Sequence, residues 1–271
     1  YEGEYLNGVK HGKGKEYNER GRLIYEGEYL NGVKHGKGKE YNGDSELVFE
    51  GEYLNGKKHG KGKEYNREIR EKEFYSYLKA RSRRRNTGNK EFIFDEEETT
   101  YNIRNDYFYL IFDGEYLNGK YWQGKIREYD HDDNLIFKGE LLEGKRWNGY
   151  EMEYKKDKRI IIKFEIKNGQ KAEKGKIRYL NYDHDIQFEG EYSNGRKNGI
   201  GFEYFKCGSL KLKANFVNDM AEGHVKEFYF NGQLKFEGEY LHGKRNGKGK
   251  EYSFFGELIF DGEYLNGERK Y

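Results

Sequence analysis

The chain of 271 residues contains no proline and a single cysteine, Cys207. One cysteine excludes an internal disulfide framework and fits a reducing compartment. We therefore expect a cytoplasmic protein, with membrane or cytoskeletal association left open. No apolar run approaches the roughly 20 residues that span a bilayer. No signal peptide is visible either, although the chain starts at Tyr1 without a methionine.

The chain also has few apolar residues, and neither sign of charge is in large excess. Lys and Arg number 51 against 49 Asp and Glu, so a net charge of +2 gives no strong field to attract nucleic acid. With 34% hydrophobic and 37% charged residues, composition alone would indicate disorder. However, 27 Tyr, 18 Phe and 37 Gly favour many short strands and turns. The composition thus predicts an all-β protein.

What the chain has in abundance is repetition, since residues 1–18 recur unchanged as residues 25–42. Repeats that begin at the first aromatic of aromatic-x-Gly-Glu, or at its equivalent, follow at intervals of 24 to 26 residues. One interval is 63 residues, which fits one repeat plus an insertion of 39. Because both ends stop inside a repeat, we expect a piece of a longer array. The ten repeats begin at Tyr1, Tyr25, Phe49, Phe112, Phe137, Ile162, Phe188, Leu212, Phe236 and Phe260.

Each repeat holds two strand-length halves, Phe-Glu-Gly-Glu-Tyr-Leu and Gly-Lys-Gly-Lys-Glu-Tyr, separated by Asn-Gly, a strong hairpin signal. A second Asn-Gly, at 231–232, sets a register between repeats if it forms a two-residue turn. Phe230 then faces Gln233, and Glu227 faces Phe236. The predicted unit is therefore an antiparallel hairpin.

Alternation of side chains divides every repeat into two faces. In the ninth repeat one face carries Phe236, Tyr240, three glycines and Glu251. The other carries lysines and glutamates that lie opposite one another, which predicts a salt-bridged outer ladder worth about 0.2–1 kcal/mol per pair. The glycines leave room for tyrosine rings to lie flat on the sheet.

The repeat resembles the MORN repeat, as in Tyr25-Glu26-Gly27-Glu28-Tyr29 followed by Gly32, Gly36 and Gly38. Residues 227–235 resemble the YwqK-type variant found in antitoxin proteins. The resemblance covers 1–66, as repeats 1–3, and 112–271, as repeats 4–10. It implies one continuous, elongated single-layer antiparallel β-hairpin solenoid, curled into a trough with the aromatics inside. It also implies protein–protein assembly, or attachment near membranes or the cytoskeleton.

Three positions depart from the repeat pattern. Phe164 and Ala214 replace glycine, and Asp219 replaces a loop glycine. We expect close ring packing to fail at these places, where the trough would bend or be plugged.

One glutamate of each repeat is assigned to the aromatic face, where a buried carboxylate is costly without partners. Either it hydrogen-bonds backbone or tyrosine hydroxyls, or the row lines an acidic groove for a basic or amphipathic helix. These glutamates are Glu16, Glu40, Glu64, Glu128, Glu153, Glu203, Glu227 and Glu251. The predicted groove consists of Tyr5, Glu16, Tyr29, Glu40, Tyr53, Glu64, Tyr116, Glu128, Tyr192, Glu203, Tyr240 and Glu251.

The insertion at 67–111 breaks the rhythm. Residues 67–85 fit a short helix that ends in a basic cluster. An acidic run at 95–98 and a strand-like stretch at 107–111 follow. The cluster is either a contact for phosphate groups of anionic lipid or a partner of the acidic run. Its residues are Arg81, Arg83, Arg84 and Arg85.

No set of residues predicts catalysis or a cofactor. The Gly-Lys-Gly motif lacks the strand–loop–helix setting of a phosphate loop. His11, His35 and His59 occupy equivalent loop positions, which suggests a metal-binding ladder or simply exposed side chains. The Asp-rich stretches at 130–133 and 183–185 fit turns better than a cation site. Cys207 lacks a histidine partner.

The sequence therefore predicts a non-enzymatic scaffold that binds protein partners through the aromatic and acidic groove or through open sheet ends, with self-association. The alternatives are attachment to anionic membrane and an antitoxin or immunity function. No cofactor or metal is expected, and nucleic acid is an improbable partner.

Overall fold

The computed structural model describes residues 1–66, 110–132, 134–155, 159–181 and 185–270. Within these residues the fold is all-β, with 20 strands in one open antiparallel sheet and no helix. The predicted helix and the arginine cluster of the insertion lie outside the described residues. The strands are β1 (Glu2–Leu6), β2 (Val9–Tyr17), β3 (Leu23–Leu30), β4 (Val33–Tyr41), β5 (Leu47–Leu54), β6 (Lys57–Tyr65), β7 (Leu110–Leu117), β8 (Lys120–Tyr129), β9 (Leu135–Leu142), β10 (Lys145–Lys155), β11 (Ile160–Lys167), β12 (Gln170–Leu180), β13 (Ile186–Ser193), β14 (Arg196–Tyr204), β15 (Leu210–Val217), β16 (Met220–Phe228), β17 (Leu234–Leu241), β18 (Lys244–Tyr252), β19 (Leu258–Leu265) and β20 (Glu268–Lys270).

The loops inside the repeats are tight two-residue turns. Asn31 and Gly32 have φ of 49° and 86°, and Leu30 pairs with Val33. Positive φ at both central residues defines the turn whose twist suits a β-hairpin. The amide of Gly32 also donates to the carbonyl of Lys10 in the previous repeat, at 2.8 Å. This bond ties neighbouring hairpins together.

The loops between repeats are longer than predicted. Glu227 faces Phe236 and Lys226 faces Glu237, as expected from the sequence. The two-residue turn at Asn231-Gly232 is wrong, because only Gly232 has a positive φ, 87°. Instead, Gly232 donates to the carbonyl of Tyr229 at 2.9 Å, and the amide of Tyr229 donates to the carbonyl of Gln233 at 2.8 Å. This is a longer turn closed by a left-handed glycine.

A bulge bends the second strand of each regular repeat. In the second repeat the register shifts between Gly27 and Glu28, and Gly36 has a φ of 61°. The carboxylate of Glu28 accepts the amide of Lys37 at 3.5 Å. The glutamate of Gly-Glu-Tyr thus accepts a hydrogen bond from a backbone amide that the bulge leaves without a partner in the sheet.

Aromatic rings lie across pairs of glycines, as predicted. Phe49 is fully buried, and a Cβ placed on Gly51 or Gly62 would lie 2.6 Å or 2.8 Å from its ring. The ring of Phe49 meets Tyr53 and Tyr116 edge to face, with both pairs of centroids 5.4 Å apart. Edge-to-face contacts of this kind are favourable beyond the area they bury.

The described residues fall into two compact units. The first takes in 1–66, 110–151 and 166–171, and the second takes in 152–165 and 172–270. A single continuous solenoid stays a prediction. In the second unit, Phe164 and Ala214 are buried where glycine was expected. They share one core with aliphatic and aromatic side chains, so the core there is filled rather than broken.

Candidate interaction surface

The aromatic face carries a row of cations that the sequence analysis missed. They stand five residues after the second aromatic of each repeat and pair directly with it, as Lys34 does with Tyr29 and Arg245 with Tyr240. The missed signal was the recurrence of Lys10, Lys34 and Lys58 at the period of the repeat. We call these positions the cation row: Lys10, Lys34, Lys58, Tyr121, Arg146, Lys171, Lys197, Ala221, Arg245 and Arg269.

Seven of the eight cations of this row lie against a ring and beside a glutamate of the aromatic face. The ammonium of Lys58 lies 4.1 Å from the ring centroid of Phe49. It also lies 3.1 Å from Glu64 of its own repeat and 3.8 Å from Glu40 of the previous one. One lysine therefore closes the ring against solvent and neutralises two carboxylates.

Arginine in the row bridges consecutive glutamates. Arg245 donates from Nε and Nη2 to Glu227, at 2.8 Å and 3.0 Å, and from Nη1 to Glu251, at 3.1 Å. Its guanidinium carbon lies 4.2 Å from the ring centroid of Phe236. Arg146 bridges Glu128 and Glu151 in the same way. In the fifth repeat the bridged carboxylate is therefore Glu151, because Glu151 rather than Glu153 faces Phe137.

The cations keep the glutamates ionised. Burial raises the pKa of Glu40, but the hydrogen bond from Lys34 and the charges of Lys34 and Lys58 outweigh it, so the net pKa is lowered. The pKa of Glu251 falls to about 2, since hydrogen bonds from Arg269, Arg245 and Tyr264 overcome the effect of burial. Burial, together with the nearby glutamates, raises the pKa of the buried tyrosines, such as Tyr116.

The structure brings the predicted groove residues onto one face of their units. Tyr29, Tyr53 and Tyr116 are nearly fully buried, while Tyr5 is exposed. Tyr192 and Tyr240 are half-buried. The hydroxyl of Tyr240 donates to Glu227 at 2.6 Å, and that of Tyr116 donates to Glu64 at 2.8 Å. Glu64, Glu227 and Glu251 thus accept tyrosine hydroxyls, as one of the two interpretations expected. Their further partners are the cations of the row.

A long groove of the first unit lies on the opposite, charged face. It has a volume of about 1390 Å³ and takes lining residues from every strand from β1 to β10. Its floor is glycine backbone, and Lys39, Glu50, Lys63 and Asp113 stand among its walls. This groove lies on the face of the charged ladder, and the groove expected on the aromatic face stays a prediction. On the aromatic face, a further cavity of about 900 Å³ lies beside Tyr116, Tyr121 and Glu128.

The charged ladder has the predicted register. Lys63 faces Asp113 and lies 3.7 Å from it, and Lys250 faces Asp261 at 3.3 Å. About half of each of these four side chains is exposed. Such ion pairs contribute little to stability, so their charges are available to a partner.

The histidines and the Asp-rich stretches were the candidate metal sites of the sequence. His11, His35 and His59 lie on alternate strands, hence roughly 10 Å apart, too far to share one ion. Among the described residues no cluster with metal-binding geometry occurs. Asp130 accepts the amides of Asp132 and Asn134, as in a turn. Asp183 and His184 lie outside the described residues.

Cys207 is exposed in the loop after β14, with its sulfur 3.1 Å from the hydroxyl of Ser209. None of the described residues forms a helix long and apolar enough to cross a membrane.

Tandem antiparallel hairpins whose aromatic face is closed by its own cations define a β-hairpin repeat protein. The family model of the MORN repeat matches residues 1–21, 25–45, 49–66, 188–209 and 236–253. The chain therefore contains five MORN repeats, as its motif predicted. MORN repeats are commonly involved in binding to proteins or membranes and are typically non-enzymatic. No curated protein matches the chain. The resemblance to antitoxin proteins stays a prediction.

Proposed function

We propose that this chain is a non-catalytic scaffold that binds a protein segment in the glycine-floored groove of its first unit. The observation that carries the proposal is the groove itself, lined in turn by ten successive strands. At the usual strand spacing it is roughly 40 Å long. An extended segment of about 12 residues would fill it. We expect this scaffold to act in the cytoplasm.

Charge pattern gives the groove a means of selecting its partner. Lysines and acidic residues alternate across strands, so the walls present both signs at a fixed spacing. A segment whose charges follow the opposite order is attracted, and one in the wrong register meets like charges. The preferred partner is therefore a protein segment with charges of both signs rather than a uniformly anionic surface.

The test exchanges one pair of charges in the groove. The double variant Lys63→Asp with Asp113→Lys keeps the net charge and the facing pair but reverses the local pattern. The matched control is Lys250→Asp with Asp261→Lys, a facing pair in the second unit. Both variants and the unchanged chain are used to capture proteins from a lysate of the source cells, with quantitative mass spectrometry as the readout.

We expect a discrete set of proteins to be captured at least tenfold less by the groove variant and equally well by the control. Equal capture by all three chains would contradict the proposal. Co-sedimentation with anionic vesicles, unaffected by either exchange, is the result expected of the alternative in which the chain attaches to a membrane.

A further inference from the structure

One position of the cation row holds no polar side chain. Among its ten members, eight are lysine or arginine, and Tyr121 stacks on Phe112 with ring centroids 4.4 Å apart. The remaining member is Ala221, in the eighth repeat. It lines a cavity of about 560 Å³ on the aromatic face of the second unit. The alanine thus leaves space where a cation stands in the other repeats.

The backbone around Ala221 keeps the geometry of the filled positions. Ala221 pairs with Phe216, as Arg245 pairs with Tyr240. Its carbonyl accepts the amide of Gly243 at 3.0 Å, and the carbonyl of Arg245 accepts that of Gly267 at 2.8 Å. The position of Ala221 therefore has the same backbone pairing as that of Arg245 and differs from it in side chains.

Two glutamates of the repeated row line this cavity. Glu203 and Glu227 stand where Glu227 and Glu251 stand around Arg245. Glu203 is contacted by Lys211 at 3.4 Å and by Lys197 at 3.9 Å. These contacts are longer than the 2.8 Å and 3.1 Å ion pairs that Arg245 makes. Glu203 therefore has weaker cation contacts than the glutamates at a filled position.

Glu227 is held more firmly than Glu203. It accepts from Arg245 and from the hydroxyl of Tyr240, and Lys235 lies 3.7 Å away. At a filled position, the cation of the row contacts the glutamate of its own repeat. Ala221 stands at that position in the eighth repeat, so Glu227 does not receive this contact. Glu227 thus forms a fixed wall of the cavity, and Glu203 provides the more accessible charge, with 30% of its side chain exposed.

The rest of the lining suits the stem of a long cationic side chain. Leu212, Phe216, Met220 and Phe230 contribute apolar surface beside the two carboxylates. Lys211, Lys235 and Asp219 also line the cavity. Arginine combines an apolar stem with a planar fork, and Arg245 and Arg146 already bridge consecutive carboxylates of this row. The cavity combines the same two kinds of surface.

We propose that the cavity at Ala221 binds an arginine side chain of a protein partner, between Glu203 and Glu227. The site deepens the proposed function and rests on it in one respect, namely that the partner is a protein. It adds a separate contact in the second unit, with arginine as the recognised group.

The probe is the peptide acetyl-Gly-Gly-Arg-Gly-Gly-amide, compared with the same peptide carrying citrulline, which has nearly the same shape but no charge. Binding is followed by NMR chemical-shift changes on the whole chain. We expect the arginine peptide to shift resonances around Ala221 with millimolar affinity and the citrulline peptide to bind at least fivefold more weakly.

Two variants locate the binding site. Ala221→Arg fills the cavity from within the chain, so the peptide should no longer bind. Glu203→Gln removes the more accessible charge and should weaken binding at least threefold, which keeps the test valid if Ala221→Arg fails to fold. Arg146→Lys, at a filled position of the first unit, is the matched control and should bind as the unchanged chain does.

Equal binding of the arginine and citrulline peptides, or undiminished binding by both Ala221→Arg and Glu203→Gln, would overturn the assignment. The proposed scaffold function is tested separately, because its charge exchange lies in the first unit. If the charge exchange has no effect on protein capture but the arginine peptide still binds, the scaffold proposal fails and the arginine site stands. If the exchange reduces capture but the peptide does not bind, only the arginine site fails.

Discussion

The third and eighth repeats fill the same face of a hairpin in different ways. In the third, Phe49 lies across Gly51 and Gly62, and Lys58 covers the ring. In the eighth, Leu212 replaces the ring, and Ala214 and Val225 replace the glycines. Val225 is fully buried, so the aliphatic side chains occupy the volume that a ring fills elsewhere.

The comparison shows that Gly62 is required by the rings over it, because the three atoms nearest to a Cβ placed there belong to Phe49 and Tyr116. Gly62 is needed because Phe49 lies over it, and Val225 is tolerated because Leu212 does not reach that far. The eighth repeat has also lost its cation, at Ala221, together with the ring that the cation would cover. Four predictions follow from this difference, from the largest expected effect to the smallest.

Converting one glycine of the third repeat to the eighth-repeat residue should be strongly destabilising. A Cβ on Gly62 would lie 2.8 Å from the ring of Phe49 and 3.1 Å from that of Tyr116. We expect Gly62→Val to lower the free energy of unfolding by about 3 kcal/mol through overpacking. Urea denaturation followed by circular dichroism gives the change.

The partner variant Phe49→Leu should relieve part of that cost. If ring and glycine depend on each other, the double variant should be more stable than the sum of the single changes, by about 1–2 kcal/mol. Strict additivity would show that the glycine has a reason other than the ring.

Removing a bridging cation should be the next largest effect. Arg245→Ala leaves Glu227 and Glu251 without their shared partner and uncovers Phe236. Because these groups are largely buried, we expect a loss of about 2–3 kcal/mol in the same denaturation assay. Arg245→Lys keeps a charge over the ring and should lose less than half as much. A loss below about 0.5 kcal/mol for Arg245→Ala would mean that the bridge has no net value.

Acid should weaken the same network in a defined range. The pKa of Glu251 is about 2 in the folded chain, below its usual 4.5, so the ionised form stabilises the fold above pH 4.5. That contribution is lost as the pH falls from about 5 towards 2. The stability difference between the unchanged chain and Glu251→Gln should therefore shrink over this interval. A difference that stays constant would show that the carboxylate keeps its ordinary pKa.

The charged face should be the most tolerant. Exchanging Lys63 and Asp113 keeps their facing pair, and both side chains are about half exposed. We expect thermal unfolding to report a change in stability below about 0.5 kcal/mol. A larger loss would make this face part of the folded core and would also weaken its use as a test of partner binding.

Much of the fold could be read from the repeats because hairpins are local. The Asn-Gly turn at 31–32 and the alternation of side chains fix which residues face each other, and the pairing of Glu227 with Phe236 was obtained this way. The loop at 229–233 was misjudged because an Asn-Gly pair also fits a longer turn with one left-handed residue. The glutamates were placed correctly except in the fifth repeat, where Glu151 rather than Glu153 faces Phe137, but their cations were overlooked. Those lie beyond a bulge and partly in the neighbouring repeat.

The sequence by itself determined the period, the antiparallel hairpins and the separation of an aromatic face from a charged one, since all three depend on residues close along the chain. Only the tertiary structure decided that lysines and arginines close the aromatic face, that the charged face of the first unit holds the groove, and that Ala221 leaves a cavity. Each of these depends on side chains from successive repeats meeting in space. That meeting is set by how far each bulge shifts the register, and the order of residues does not reveal the shift.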